Sequence, residues 1–306
     1  MGDNEMAIHH YRQELLIEML HSKNNYSPNV MVTLVNLAEI YKEKEDYDYA
    51  LILYRHIAQI QEVVLGKYHL DVSITLSNIG FVLYQKEKFN DALIMYQRAL
   101  KIRSETLSST ALQLDLDYAS ILTQLGLALI QIKKWSLALE ALTHSICIRQ
   151  CDDEETSLTL CTIGMIYDHF GDDKKALHYF EKALGIERRV VGCEHENVAR
   201  ILLRIGRIYK NIGDDHLDDA LNHLNVALCI QKKNVNDKND TKLSIARTLN
   251  CIGNVYLQKG DADKAMQTFI EASRICREVG VSDETLMVVS SNSIAFGQFY
   301  HDAPAA

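Results

Sequence analysis

Arg200, Arg204, Arg207 and Lys210 stand at steps of four, three and three in the segment ENVARILLRIGRIYKNIG, residues 196–213. On a helix that spacing puts four cations on one stripe and Ile201, Leu202, Ile205, Ile208 and Tyr209 on the opposite one, which packs. The chemistry open to such a stripe is the recognition of carboxylates or other anions, because clustered like charges repel and an anionic partner relieves them. Asp214, Asp215, Asp218 and Asp219 follow closely, and internal neutralisation by them is the competing reading. A second group, His144, Cys147, Cys151 and Cys161, has helical spacings that a zinc ion could bridge. Structural zinc sites pair their ligands more tightly, and packing accounts for these cysteines more simply, so no metal or other cofactor is expected. No phosphate-cradling glycine loop, nucleophile elbow or His-Glu-x-x-His motif occurs, and the chain is read as non-catalytic.

The elements that must position the basic stripe follow from composition. In 306 residues, 47% are hydrophobic and only 2 are proline, and Leu, Ala, Glu, Lys and Gln fill long segments with a 3.6-residue period, so the chain is expected to be all-α with a substantial core. The net charge of −9 sets nucleic acid aside, since phosphate neutralisation needs a larger basic face. No apolar run approaches the length of a membrane span and the first residues lack a secretory pattern, which predicts no membrane insertion and a cytoplasmic protein. Seven cysteines without a Cys-x-x-Cys pair fit a reducing compartment, most of them as small core residues.

An apolar–small pair recurs seven times: Leu37-Ala38, Ile79-Gly80, Leu125-Gly126, Ile163-Gly164, Ile205-Gly206, Ile252-Gly253 and Ile294-Ala295. Ala50, Ala92, Ala138, Ala176 and Ala265 follow five of these after twelve residues, and Ala220 follows after fourteen, across an insertion in NIGDDHLDDA. Four residues beyond each alanine stands Tyr54, Tyr96, Leu142, Phe180, Leu224 or Phe269. Small residues that let backbones approach, registered with large ones that fill the gap, describe a pair of antiparallel helices. One such hairpin cannot bury its apolar faces alone, so successive hairpins are expected to stack.

This pattern of small residue, aromatic residue three later, then Ala-x-x-x-aromatic resembles the tetratricopeptide repeat. LGKYHLDV (65–72) and VGCEHENV (191–198), followed by LSNIG in the first case, together with the 42-residue unit, are similar to the repeats of the kinesin light chain. The resemblance implies a right-handed superhelical solenoid of helix hairpins in a single array: a half unit at 5–27, six full units over about 28–281, a terminal helix at about 282–300 and a tail at 301–306. It also implies protein or peptide partners. No sustained heptad segment exists, so the kinesin heavy chain is not supported as a partner by this chain.

In arrays of this type the first helix of each hairpin lines the concave face. Carried onto this chain, the inward positions include Asn36, Asn78, Phe81, Leu127, Met165, Arg200, Arg204, Arg207, Lys210, Arg247, Asn250 and Asn254. The basic stripe would then face a groove beside a neutral stretch at Phe81, Leu127 and Met165, with the asparagines available to a peptide backbone. The expected function is a scaffold or adaptor that binds an acidic peptide with apolar anchors. A stably assembled structural subunit of a larger complex is the alternative, and an enzyme or its sensor domain a third.

Overall fold

The computed structural model describes residues 5–13, 28–234 and 239–280, and among them every regular element is helical. Residues 5–13 form α1. Six hairpins follow: α2 (Pro28–Glu43) with α3 (Tyr47–Val64), α4 (Leu70–Gln85) with α5 (Phe89–Thr106), α7 (Leu116–Gln131) with α8 (Trp135–Ile148), α9 (Glu154–His169) with α10 (Asp173–Val190), α11 (Glu196–Ile212) with α12 (Leu217–Lys233), and α13 (Asn239–Gln258) with α14 (Ala262–Val279). The expected terminal helix at 282–300, the tail and part of the opening half unit lie outside the described residues. Two compact units divide the chain, residues 1–150 and 151–306.

Within each hairpin the small and large residues meet as their spacing predicts. Ala50, Ala92, Ala138, Ala176, Ala220 and Ala265 are fully buried, and Tyr54, Tyr96, Leu142, Phe180, Leu224 and Phe269 are each at most 1% exposed. Gly80 faces Tyr96, Gly126 faces Leu142, Gly206 faces Leu224 and Gly253 faces Phe269 with no room for a Cβ at the helix crossing, and Gly164 faces Phe180 with slightly more space. The two irregular junctions fold locally. The segment after α5 makes the short helix α6 (Ser109–Leu112), and the two-residue insertion makes a 3-10 turn at Asp214–His216.

Helix starts are set by side chains that accept the first free N–H groups. Asp46, Asp115, Asp153, Asp172 and Asp261 do so in the usual way. The histidines of the two LGKYH-like loops act likewise: His69 Nδ1 accepts from Asp71 N–H at 3.2 Å and His195 Nδ1 from Asn197 N–H at 3.3 Å. The Lys175 side chain, and after it the Lys175 backbone N–H, hold Asp172 below the usual carboxylate range, and Lys264 does the same to Asp261. A depressed folded value means the contribution is complete above the unfolded value of about 3.9 and is lost as pH falls through the folded one. Thermal melts followed by circular dichroism should therefore fall less steeply below about pH 4 in Asp172→Asn/Asp261→Asn than in the wild type.

The cysteines depart from expectation. Only Cys276 is buried, Cys161 and Cys251 are half-buried, and Cys147, Cys151, Cys193 and Cys229 are exposed. The lack of Cys-x-x-Cys pairs left them as small core residues, but the apolar stripes they adjoin are already filled by Ala, Ile and Leu.

Candidate functional site

The basic stripe lies on α11, which buries Val198, Ala199, Ile201, Leu202, Ile205, Gly206 and Ile208 along one side. On the other, Arg200 and Arg207 are exposed while Arg204 and Lys210 are half-buried. The stripe divides between the two neighbouring first helices. Burial pushes the Cys161 thiol of α9 up to about 12 against the opposing pull of Arg204 and Arg200. Burial also raises Cys251 of α13, here against Arg207 and Lys210. Arg204 is itself lowered, first by burial and then by the charge of Arg207. Four cations thus crowd one face that is partly shielded from water.

The aspartates that follow do not neutralise this face. Asp218 pairs with Lys259, Asp214 accepts from Gln258 Nε2 at 3.1 Å, and Asp219 faces His216 Nδ1 at 3.3 Å. Arg200 donates to Asn197 Oδ1. Among the described residues, no carboxylate comes within 4.0 Å of Arg204, Arg207, Lys210 or Arg247.

Between α9 and α11 opens a cavity of about 260 Å³ that gathers Leu158, Cys161, Thr162 and Met165 from one helix and Arg200 and Arg204 from the other. Met165, Arg200 and Arg204, expected on an inward face, are therefore together. Two residues in this cavity were not anticipated. Glu187, at the end of α10, is 3% exposed, and its Oε1 accepts from Asn197 Nδ2 at 2.6 Å. Asn197 therefore links Arg200 to Glu187 through one hydrogen bond on each side. The readable signal was positional: Glu187 lies three units after Gln61, which is 6% exposed and accepts from Thr75 Oγ1 at 2.7 Å.

A cavity of about 300 Å³ between α2 and α4 of the N-terminal unit is built from the corresponding positions. It gathers Asn36 and Asn78 with Val32, Val35 and Ile74, and Gln61 stands where the other cavity has Glu187. Asn78 Nδ2 already donates to Glu39 Oε1 at 3.4 Å. Phe81 and Leu127 are half-buried, and the Lys42 ammonium stands 5.9 Å from the Phe81 ring centre. In the C-terminal unit Arg247 is exposed, Asn250 and Asn254 are half-buried, and Asn250 Oδ1 is buried without a hydrogen-bond partner among the described residues.

Neither cavity presents a nucleophile held by a base, and no group of three or more His, Cys, Asp or Glu side chains is gathered for a metal ion among the described residues. No described helix is long and apolar enough to cross a membrane.

Two models of the tetratricopeptide repeat match the chain, one over residues 29–105 and 155–233 and the other over 245–279. No curated protein matches it. Among solved structures, BtubC (BKLC) from P. vanneervenii is 19% identical over 78% of this chain and 91% of its own, with a TM-score of 0.63. The putative kinesin light chain of Podosopora anserina, with nearly identical TPR-like repeats, is 15% identical over 70% of this chain and 99% of its own, with a TM-score of 0.57. YrrB, described as a TPR protein with an unusual peptide-binding site, is 17% identical over 70% and 90%, with a TM-score of 0.50. At these identities the likeness is one of fold.

Proposed function

From the premise that the chain belongs to the tetratricopeptide repeat family, of the kinesin light chain-like type, we propose that it is a non-catalytic scaffold or adaptor that holds an acidic peptide on the inward faces of its first helices. The observation that carries this reading is the α11 stripe, whose Arg204, Arg207 and Lys210 find no carboxylate within 4.0 Å among the described residues while the neighbouring aspartates are engaged elsewhere. Partly desolvated cations without counter-ions are unfavourable alone and favourable against a ligand that brings carboxylates. Phe81, Leu127 and Met165 supply apolar surface for its anchors, and a cytoplasmic setting and a single array over 1–300 belong to the same proposal.

The test is fluorescence anisotropy with labelled acidic peptides carrying Leu or Trp anchors. Arg204→Glu/Arg207→Glu is expected to weaken binding at least about 30-fold while circular dichroism stays unchanged. Equal affinity for the wild type and this variant would remove the stripe from recognition. A second reading, a structural subunit of a larger complex, draws on the exposed Val63, Tyr68 and Leu114 of the N-terminal unit, at 70%, 61% and 74%. Sedimentation of native extracts decides between them, since a structural subunit leaves no free pool.

A further inference from the structure

The two corresponding cavities differ in charge at four positions. Gln61, Asp71, Ile74 and Asn78 in the α2–α4 cavity become Glu187, Asn197, Arg200 and Arg204 in the α9–α11 cavity, each 126 residues later. In the first, the buried polar group at the cavity floor is neutral and bonded to Thr75. In the second it is a carboxylate, 3% exposed, with a single hydrogen-bond donor, Asn197, and no cation within 4.0 Å among the described residues. A buried carboxylate without a counter-ion is costly, and a cation that reaches it is correspondingly favoured. At the equivalent position of another repeat, Arg103, the buried charge is matched by Asp115 and Asp117. At Glu187 no such match stands among the described residues.

Resting on the peptide-binding reading, we infer that the α9–α11 cavity is the subsite for a lysine or arginine side chain of the bound peptide, flanked by acidic residues. Its aliphatic stem lies along Leu158, Met165 and Ile201, and its charged head reaches Glu187. The acidic neighbours of that residue face Arg200 and Arg204, whose repulsion of the incoming cation they cancel. Asn197 keeps Arg200 and Glu187 linked but unpaired, so both charges stay available to the ligand.

The experiment uses fluorescein-labelled peptides Glu-Asp-Glu-Gly-X-Gly-Glu-Asp-Glu, with X as Lys, Arg, Leu or Trp, titrated with the full chain. On the wild type, X as Lys or Arg should bind at least about 10-fold tighter than X as Leu or Trp. Glu187→Gln should abolish that preference, and Glu187→Gln/Arg200→Ile/Arg204→Asn should reverse it. Every substituted residue already occupies the equivalent place in the N-terminal unit, so folding is preserved, and circular dichroism checks it. Tighter binding of Leu or Trp on the wild type, or a Lys preference that survives Glu187→Gln, overturns this subsite alone provided that binding still depends on Arg204 and Arg207. Absence of binding by all four peptides overturns the subsite and the acidic-peptide reading together.

Discussion

Arg103→Met is expected to destabilise the N-terminal unit by about 3 kcal/mol, the low end of what breaking a buried ion pair costs. Arg103 sits in the last turn of α5 with its side chain 4% exposed. Its Nη1 donates to both oxygens of Asp115, at 2.8 and 3.0 Å, and its Nη2 donates to Asp117. Asp115 is 11% exposed and also caps α7, whereas Asp117 is 63% exposed and rehydrates once the arginine is gone. The loss is therefore the stranded charge of Asp115. Adding Asp115→Asn keeps a capping side chain and removes that charge, so Arg103→Met/Asp115→Asn should recover about half of the loss. Denaturant midpoints, with hydrogen exchange at the amides of α5 and α7 to localise the effect, measure both. A cost below about 1 kcal/mol for Arg103→Met would mean that the pair is structurally idle.

The same position shows what sequence patterning could and could not reveal. Gln61, Arg103, Arg149, Glu187 and Gln231 form a column at the ends of the second helices, each at most 6% exposed. Gln61, Arg103, Glu187 and Gln231 bond to the helix that follows: Gln61 to Thr75, Arg103 to Asp115 and Asp117, Glu187 to Asn197, and Gln231 to Ser244 and Thr248. Gln, Arg and Glu share the position, so no single residue type marks it, and hydrophobic periodicity cannot register a polar position that happens to be buried. The hairpins were legible because Ala, Gly and the large residues recur with one meaning, close approach of two backbones, that few side chains satisfy.

The candidate site divides along the same line. The stripe of Arg200, Arg204, Arg207 and Lys210 was legible because α11 is strongly two-faced and charged residues stay out of its packed side. That its cations lack carboxylate partners among the described residues was not legible. Asp214, Asp218 and Asp219 are near in sequence, but the 3-10 turn and the start of α12 present them to Gln258, Lys259 and His216. Proximity along the chain overestimates neutralisation wherever an insertion redirects the backbone. The floor of the α9–α11 cavity, Glu187, comes from a second helix, outside the first-helix positions to which the groove was assigned.

Gly253→Ala is expected to cost about 2 kcal/mol, and to become stabilising when Phe269 is first reduced to alanine. A Cβ at Gly253 would stand 2.5, 2.8 and 2.9 Å from three atoms of the Phe269 ring, which is 1% exposed and has nowhere to go. Overpacking of this kind typically costs about 1–3 kcal/mol, against a gain of about 1 kcal/mol from replacing glycine inside a helix. At Gly164 the nearest ring atoms of Phe180 are 3.1 Å away, so there the two terms should nearly cancel. The first repeat supplies the precedent, since Ala38 fills the position opposite Tyr54 with both fully or almost fully buried. Phe269→Ala alone should cost about 3–5 kcal/mol. In that background the obstacle is gone and Gly253→Ala contributes only its helix propensity and some filling of the cavity, so its sign reverses and the double-mutant coupling reaches about 3 kcal/mol. Urea denaturation of the four proteins measures it. A Gly253→Ala effect of the same sign in both backgrounds would show that the glycine serves the backbone of α13 rather than the close packing of α13 on α14.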